Sequence, residues 1–321
     1  MRHTPARFLA LVSLLLSTLV LTSCSDDSSS PAEIDNTRTV TGAVLAWQAM
    51  ESSTRELLWS VWSGKDDVVA VGTRGSANHL VDSAWTAKPS GVDGSLCDVW
   101  MQGDGVAYAV GTGGVILRYD GTWSPMNSGT SADLNDVFGF SGGRAVAVGA
   151  GGTVLALDGG VWSPVDAGTD VNLFGVWGSS PELLYAAGVG GTIVQRNAGA
   201  WSFMDSQTPN NLSGVFGIST SDVFAVGDAG TILRYTGGSW IALTSGTGAN
   251  LYDVHGLSAS NLWAVGEAGT ILHFDGASWS TSAGGTDRNL FGIFARRTDL
   301  VYAVGDEGII LKYAPEPVAA P

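Results

Sequence analysis

Seven times in this chain a Trp is followed, eleven residues later, by a Leu: Trp47/Leu58, Trp85/Leu96, Trp123/Leu134, Trp162/Leu173, Trp201/Leu212, Trp240/Leu251 and Trp279/Leu290. Successive pairs are 38, 38, 39, 39, 39 and 39 residues apart. Self-similarity at such a period means one supersecondary unit copied in tandem, each copy packing on its neighbours. The 321-residue length is therefore not a count of ordinary domains.

Aligned on the Leu, each unit reads as four short strands. The first is Leu134-Asn-Asp-Val-Phe138, with counterparts Leu173–Trp177, Leu212–Phe216 and Leu251–His255. The second ends in Ala-Val-Gly, as at Ala225–Gly227, Ala264–Gly266 and Ala303–Gly305. A Gly-bearing hairpin leads into the third, such as Thr231–Tyr235, and the fourth begins at the Trp. Runs of apolar β-formers cut by Gly turns are strand signals, and no stretch holds a helical period over ten residues. Leu to the Ala-Val-Gly glycine is 15 residues, or 14 in the first unit, and that Gly to the next Trp is 13, or 12 in the second. Both deletions fall where turns are expected.

Four-stranded units at this period read as propeller blades, and a closed ring leaves only short protected edges. The termini predict the closure. The last unit, from Leu290 to Tyr313, has no Trp strand, whereas Val44–Met50 is a Trp strand with no preceding three. The expected fold is all-β: a seven-bladed β-propeller of four-stranded antiparallel blades, closed by an N-terminal strand completing the last blade. The expected boundaries are a signal peptide over 1–23, a flexible tether over 24–40, the propeller over 41–314 and a disordered tail over 315–321.

The consensus Leu-x-x-Val-Phe/Trp-Gly … Ala-Val-Gly-x-x-Gly-Thr-Ile-Leu-x-Tyr-x-Gly-x-x-Trp covers residues 44–313. It resembles the BNR-like propeller repeats, and within them those of photosystem II assembly-factor-like proteins and of bacterial lipoproteins built from the same unit. The sialidase Asp-box is a near relative, but Asp158–Trp162 and Asp275–Trp279 are one residue short of it. No Trp-Asp dipeptide occurs, so WD-repeat propellers are not close kin on sequence. Functions in the resembled family vary, so the resemblance implies fold and leaves function to the site residues.

The N-terminus reads as an export signal. Arg2 and Arg7 precede the apolar run Phe8–Leu21, which Ser13, Ser17 and Thr18 interrupt and which is short for a membrane span. Leu21-Thr22-Ser23-Cys24 resembles the bacterial lipobox, which implies a diacylglyceryl group on Cys24 and a membrane anchor through it. Ser25, where inner-membrane lipoproteins typically carry Asp, implies the outer membrane of the cell envelope, on its periplasmic side or at the cell surface. Residues Ser25–Thr37 are a polar, Ser- and Asp-rich tether with nothing to form a core. Cys97 then has no partner and reads as a small packed side chain.

Net charge is −15, with only three Lys (Lys65, Lys88 and Lys312), so nucleic acid and anionic lipid headgroups are repelled. Charged residues are only 14% of the chain, too few for a disordered acidic protein or a coiled coil. Nucleophilic and metal-site patterns are absent; His3, His79, His255 and His273 are scattered, and no metal or cofactor is expected. His255 takes the place of Trp or Phe in its strand and reads as a packed ring. A sialidase needs an arginine cluster, but Arg118, Arg234, His273 and Lys312 share one slot in different blades and so spread around the ring. The Gly-rich string at Gly111 recurs in each unit with no helix after it, so it is no dinucleotide fingerprint.

The residue after Ala-Val-Gly is acidic in three consecutive units, Asp228, Glu267 and Asp306, against Thr73, Thr112, Ala150 and Val189 earlier. Asp98, Asp136 and Asp253 start innermost strands near the same face. These six are the candidate binding face, read either as a cation site or a basic partner's footprint, or as a solvated rim or carboxylates capping local N–H groups. Neighbouring blades lie on the order of 10 Å apart, too wide for one Ca²⁺. Trp62, Trp100, Phe138, Trp177, Phe216 and Phe294 recur so regularly that inter-blade packing accounts for them. The expected function is a monomeric, non-enzymatic binding or scaffolding lipoprotein that engages an envelope protein or polysaccharide. Variable inter-blade segments such as Ser206–Asn211 and Thr244–Asn250 are its expected contact surface. The alternative is a sialidase-like glycoside hydrolase or lyase at the central depression, which requires unlike carboxylates with shifted pKa values converging there.

Overall fold

A computed structural model describes residues 44–64, 67–103 and 105–316. Seven four-stranded antiparallel sheets form a ring, a seven-bladed β-propeller. In blade 5 the strands are Leu212–Ser219, Asp222–Gly227, Ile232–Tyr235 and Trp240–Leu243, ordered outward from the axis. Blades 1 to 6 repeat this order with Leu58, Leu96, Leu134, Leu173, Leu212 and Leu251 opening their innermost strands. Blade 7 joins the two ends of the chain. Leu45–Met50 pairs antiparallel with Ile310–Pro315, in register from Leu45 opposite Pro315 to Met50 opposite Ile310. The closure expected from the unequal termini is therefore present. Trp47 fastens it further: its indole N–H donates to Ser282 Oγ at 3.1 Å, and its ring meets Trp263 and Tyr313 at 5.5 and 5.3 Å.

The Leu that sets the period is the wedge between sheets. All seven, Leu58 through Leu290, have 0% exposure. Removing such a side chain to Ala costs about 2–5 kcal/mol, lost transfer energy plus a cavity. The second strands are buried along all but their first residue, through the Ala-Val-Gly segments.

Each Ala-Val-Gly runs into a three-residue 3-10 turn that returns the chain to the third strand, as at Asp228–Gly230. The third turn residue must be Gly. Gly230 has φ +69°, and a Cβ there would stand 2.1 Å from the Thr247 carbonyl oxygen of the inter-blade segment. The middle residue is also left-handed, even where it is Ala229 (φ 54°) or Ala268 (φ 50°). A side chain from the next blade holds it. Asn250 Oδ1 accepts the Ala229 N–H at 2.8 Å and Asn289 Oδ1 accepts the Ala268 N–H at 2.9 Å; Asp133, Asn172 and Asn211 do the same for Gly113, Gly151 and Gly190. These staples place the 3-10 turns and inter-blade segments on one face, here the inter-blade face. The remaining hairpins lie on the opposite, hairpin face. The recurring Asn-Leu at the head of the inner strands was the sequence sign of this device.

Candidate functional site

The innermost strands line the axis, and their positions can be counted from the buried Leu. Position 5 carries the recurring aromatics. Trp62, Trp100, Phe138, Trp177, Phe216, His255 and Phe294 close on one another around the axis: Phe294–Trp62 4.6 Å, Trp177–Phe216 6.3 Å, Phe216–His255 4.2 Å and His255–Phe294 4.4 Å between ring centroids. Trp62 reaches across to Phe138 at 6.3 Å and His255 at 5.6 Å, spanning the centre. His255 is a packed ring, as its position suggested. Its Nδ1 accepts the Ala295 N–H at 3.2 Å, and burial lowers its pKa to about 3, so it stays neutral.

Position 3 lies about 7 Å nearer the inter-blade face, two residues along a strand. Here the expected acidic residues come together, though at the axis rather than on the rim. Each accepts an N–H from the next blade's inner strand: Val137 to Asp98 Oδ2 at 2.9 Å, Val176 to Asp136 Oδ2 at 2.6 Å and Ile293 to Asp253 Oδ2 at 2.8 Å. Ser60 accepts from Val99 in the same way. The other blades have Gly175, Gly214 and Gly292, where the strands approach directly; a Cβ on Gly292 would meet Trp59 O and Ser60 Cα at 2.8 Å. Carboxylate and glycine are thus two solutions to one contact. The acids keep some accessible surface. Burial, then the Asp98 carboxylate hydrogen-bonded beside it, raises Asp136 well above the usual range. Burial lifts Asp253 to about 7.

Position 2 sits on a register shift at the channel mouth and carries Trp59, Cys97, Asn135, Phe174, Ser213, Tyr252 and Phe291. Ring closure brings blade 7 between blades 6 and 1, so Phe291 meets Tyr252 at 5.0 Å and Trp59 at 4.7 Å. All three are half-buried. Cys97 is half-buried too, and burial, then the charges of Asp98 and Asp133, push its thiol up to about 11, an unreactive state.

The three rim carboxylates surround this aromatic group. Tyr252 OH donates to Glu267 Oε1 at 3.3 Å, and Asn250 Nδ2 to the same oxygen at 3.0 Å. Asn211 Nδ2 donates to Asp228 Oδ2 at 2.8 Å. Burial, followed by the charges of Glu267, Asp228 and Asp306, pushes the Tyr252 phenol up to about 12. Among the described residues no Lys, Arg or His forms an ion pair with any of the three.

The third-strand cations do not converge. Arg118 pairs with Asp120 and Arg234 with Asp222, each within its own blade on the hairpin face. Among the described residues no group of His, Cys, Asp and Glu has metal-site geometry, and no helix is long and apolar enough to cross a membrane. Cys24 lies outside the described residues.

No protein-family model matches the chain, and no curated protein does. Solved structures do match. YCF48 bound to a D1 peptide has a TM-score of 0.70 at 18% identity, over 86% of this chain and 97% of that one. YCF48 from Cyanidioschyzon merolae has 0.70 at 18%, over 85% and 100%. The WD40 β-propeller domain of Doa1 has 0.72 at 12%, over 85% and 98%. At these identities the likeness is one of fold.

Proposed function

We propose that the chain is a non-enzymatic binding module of the bacterial cell envelope, held at the outer membrane by a lipid on Cys24, which engages a protein partner through its inter-blade face. The carrying observation is the contrast in carboxylates. Those with raised pKa values, Asp136 and Asp253, are fasteners whose oxygens accept strand N–H groups; both Asp253 oxygens are taken, by Val254 at 2.7 Å and Ile293 at 2.8 Å. Those without cations, Asp228, Glu267 and Asp306, lie half-buried at the mouth, Glu267 also accepting the Asn250 backbone N–H at 3.1 Å. Support also comes from fold neighbours of two kinds, one bound to a peptide. The lipobox-like Leu21–Cys24 supports the anchor, and the Leu-to-Trp consensus supports placement among the BNR-like repeats.

The competing reading, a glycoside hydrolase at the central depression, draws on the same raised acids. It requires one of them free to reach a substrate, and the strand N–H bonds oppose that. Crosslinking in whole cells followed by capture of the full chain tests the proposal. The expected result is a reproducible envelope protein, with the chain moving from the membrane to the soluble fraction in Cys24→Ala. Glycan turnover that Asp136→Asn abolishes, with no protein captured, would sink it.

A further inference from the structure

Position 5 is aromatic or His in every blade, so packing explains it. Position 2 is not: beside Trp59, Tyr252 and Phe291 stand Cys97, Asn135, Phe174 and Ser213. The repeat does not need a large ring there, yet three consecutive blades supply one each, in mutual contact and half-buried at an open mouth. The acidic residue after Ala-Val-Gly is likewise confined to blades 5, 6 and 7. Two irregularities in different strands thus fall in one sector of one face. Tyr252 OH on Glu267 joins them.

From this juxtaposition we propose that the channel mouth over blades 6, 7 and 1 is a docking site for an arginine side chain of the protein partner. Trp59, Phe291 and Tyr252 form its wall, and Glu267, Asp228 and Asp306 supply the counter-charge. The inference rests on the binding-module reading and specifies its ligand. Arginine fits better than lysine or a metal ion. A planar, weakly hydrated guanidinium stacks on aromatic faces while its fork meets a carboxylate, whereas a compact ammonium or divalent cation prefers water or oxygen ligands. The chain's own cations leave the site free. Arg288 is occupied by Glu307 at 2.6 Å and Arg74 by Glu56 at 3.6 Å. Arg55 is exposed, in the segment whose backbone packs on Gly308 of the blade 7 turn.

The test selects peptides from a phage-displayed library on the immobilised, detergent-solubilised full chain. A selected peptide is then titrated against wild type, Phe291→Ala, Glu267→Gln and, on the hairpin face, Asp120→Asn, with melting curves confirming that each variant is folded. The expected result is recurrent arginine among the selected peptides. Replacing that arginine with citrulline weakens binding at least tenfold, Phe291→Ala and Glu267→Gln each do the same, and Asp120→Asn changes nothing. The citrulline peptide keeps the test sound if Phe291→Ala fails to fold. Selected peptides without arginine, or with affinities that survive both mouth substitutions, overturn the docking site while leaving the binding module standing. Capture of neither peptide nor envelope protein overturns both.

Discussion

The hairpin face and the Asp228–Glu267–Asp306 sector of the inter-blade face handle charge in opposite ways. On the hairpin face four blades match an acid to a base of their own: Arg118 with Asp120 at 3.0 Å, Arg196 with Glu182 at 3.5 Å, Arg234 with Asp222 at 2.7 Å and Arg297 with Asp299 at 2.9 Å. On the inter-blade face Asp228, Glu267 and Asp306 have only neutral donors or none. The inter-blade face has ion pairs of its own, Arg288 with Glu307 at 2.6 Å and Arg74 with Glu56 at 3.6 Å, yet these three carboxylates are left out of them, which makes their sector a surface that attracts. The difference teaches that acidity alone marks nothing here. The absence of a cation is the informative feature.

The channel acids sharpen this comparison, because they lie toward the inter-blade face and yet are fasteners. Their pH dependence gives the largest expected effect. Asp253 is raised to about 7 from its ordinary 3.8. The folded state therefore holds this proton more tightly than the unfolded chain does. The associated stability is complete below about pH 4 and is lost as pH rises to about 7, at up to ~1.4 kcal/mol per pH unit. Asp136 acts in the same direction. His255 opposes them: its pKa is lowered, so its contribution is present above about pH 6.5 and is lost as pH falls toward 3. Denaturant unfolding between pH 4 and 8 should show Asp253→Asn gaining steadily on wild type as pH rises, and His255→Phe gaining as pH falls. An Asp253→Asn offset that is flat with pH would mean these acids are ionised and solvated, and the distinction between fastener and rim would fail.

How far the sequence carried this far depends on what each feature needed. Blade count, strand order and the clasp follow from spacing alone, because a period and its phase at the two ends determine a ring. The position-3 acids were visible as near-face residues, but their role needed the neighbouring strand, since an Asp in Asp98 and a Gly in Gly292 solve the same contact. The mouth was the least legible. Trp59 and Phe291 lie near opposite ends of the chain and meet only because blade 7 closes against blade 1. Its sequence sign is the irregular run Trp, Cys, Asn, Phe, Ser, Tyr and Phe at position 2, where the repeat does not demand one kind of side chain.

On the hairpin face the matched pairs should carry stability, an effect of intermediate size. Arg234 meets Asp222 through Nε at 2.7 Å and Nη2 at 3.0 Å, and its guanidinium lies over Phe224 and Phe274 at 5.1 and 5.8 Å. Both partners are less than a quarter exposed by side chain. Arg234→Met should cost about 1–2 kcal/mol in thermal or denaturant unfolding, with the loss halved or more in high salt, and leave partner binding intact. A binding defect in a variant that folds normally would erase the division between faces.

The smallest stability effect belongs to Asp306, and its smallness is the point. It has no cation, and Glu267 and Asp228 share its sector, so its charge is repelled rather than held. Asp306→Asn keeps the shape, removes that repulsion and leaves the first residue of its 3-10 turn in an ordinary conformation. Stability should change by less than about 0.5 kcal/mol, in the favourable direction. Binding of an arginine peptide should nonetheless weaken several-fold at low ionic strength, and its salt dependence should become shallower. A carboxylate retained for the fold would behave the other way, with a clear loss of stability and no change in binding. Such a result would return the acidic arc to the class of solvated rims.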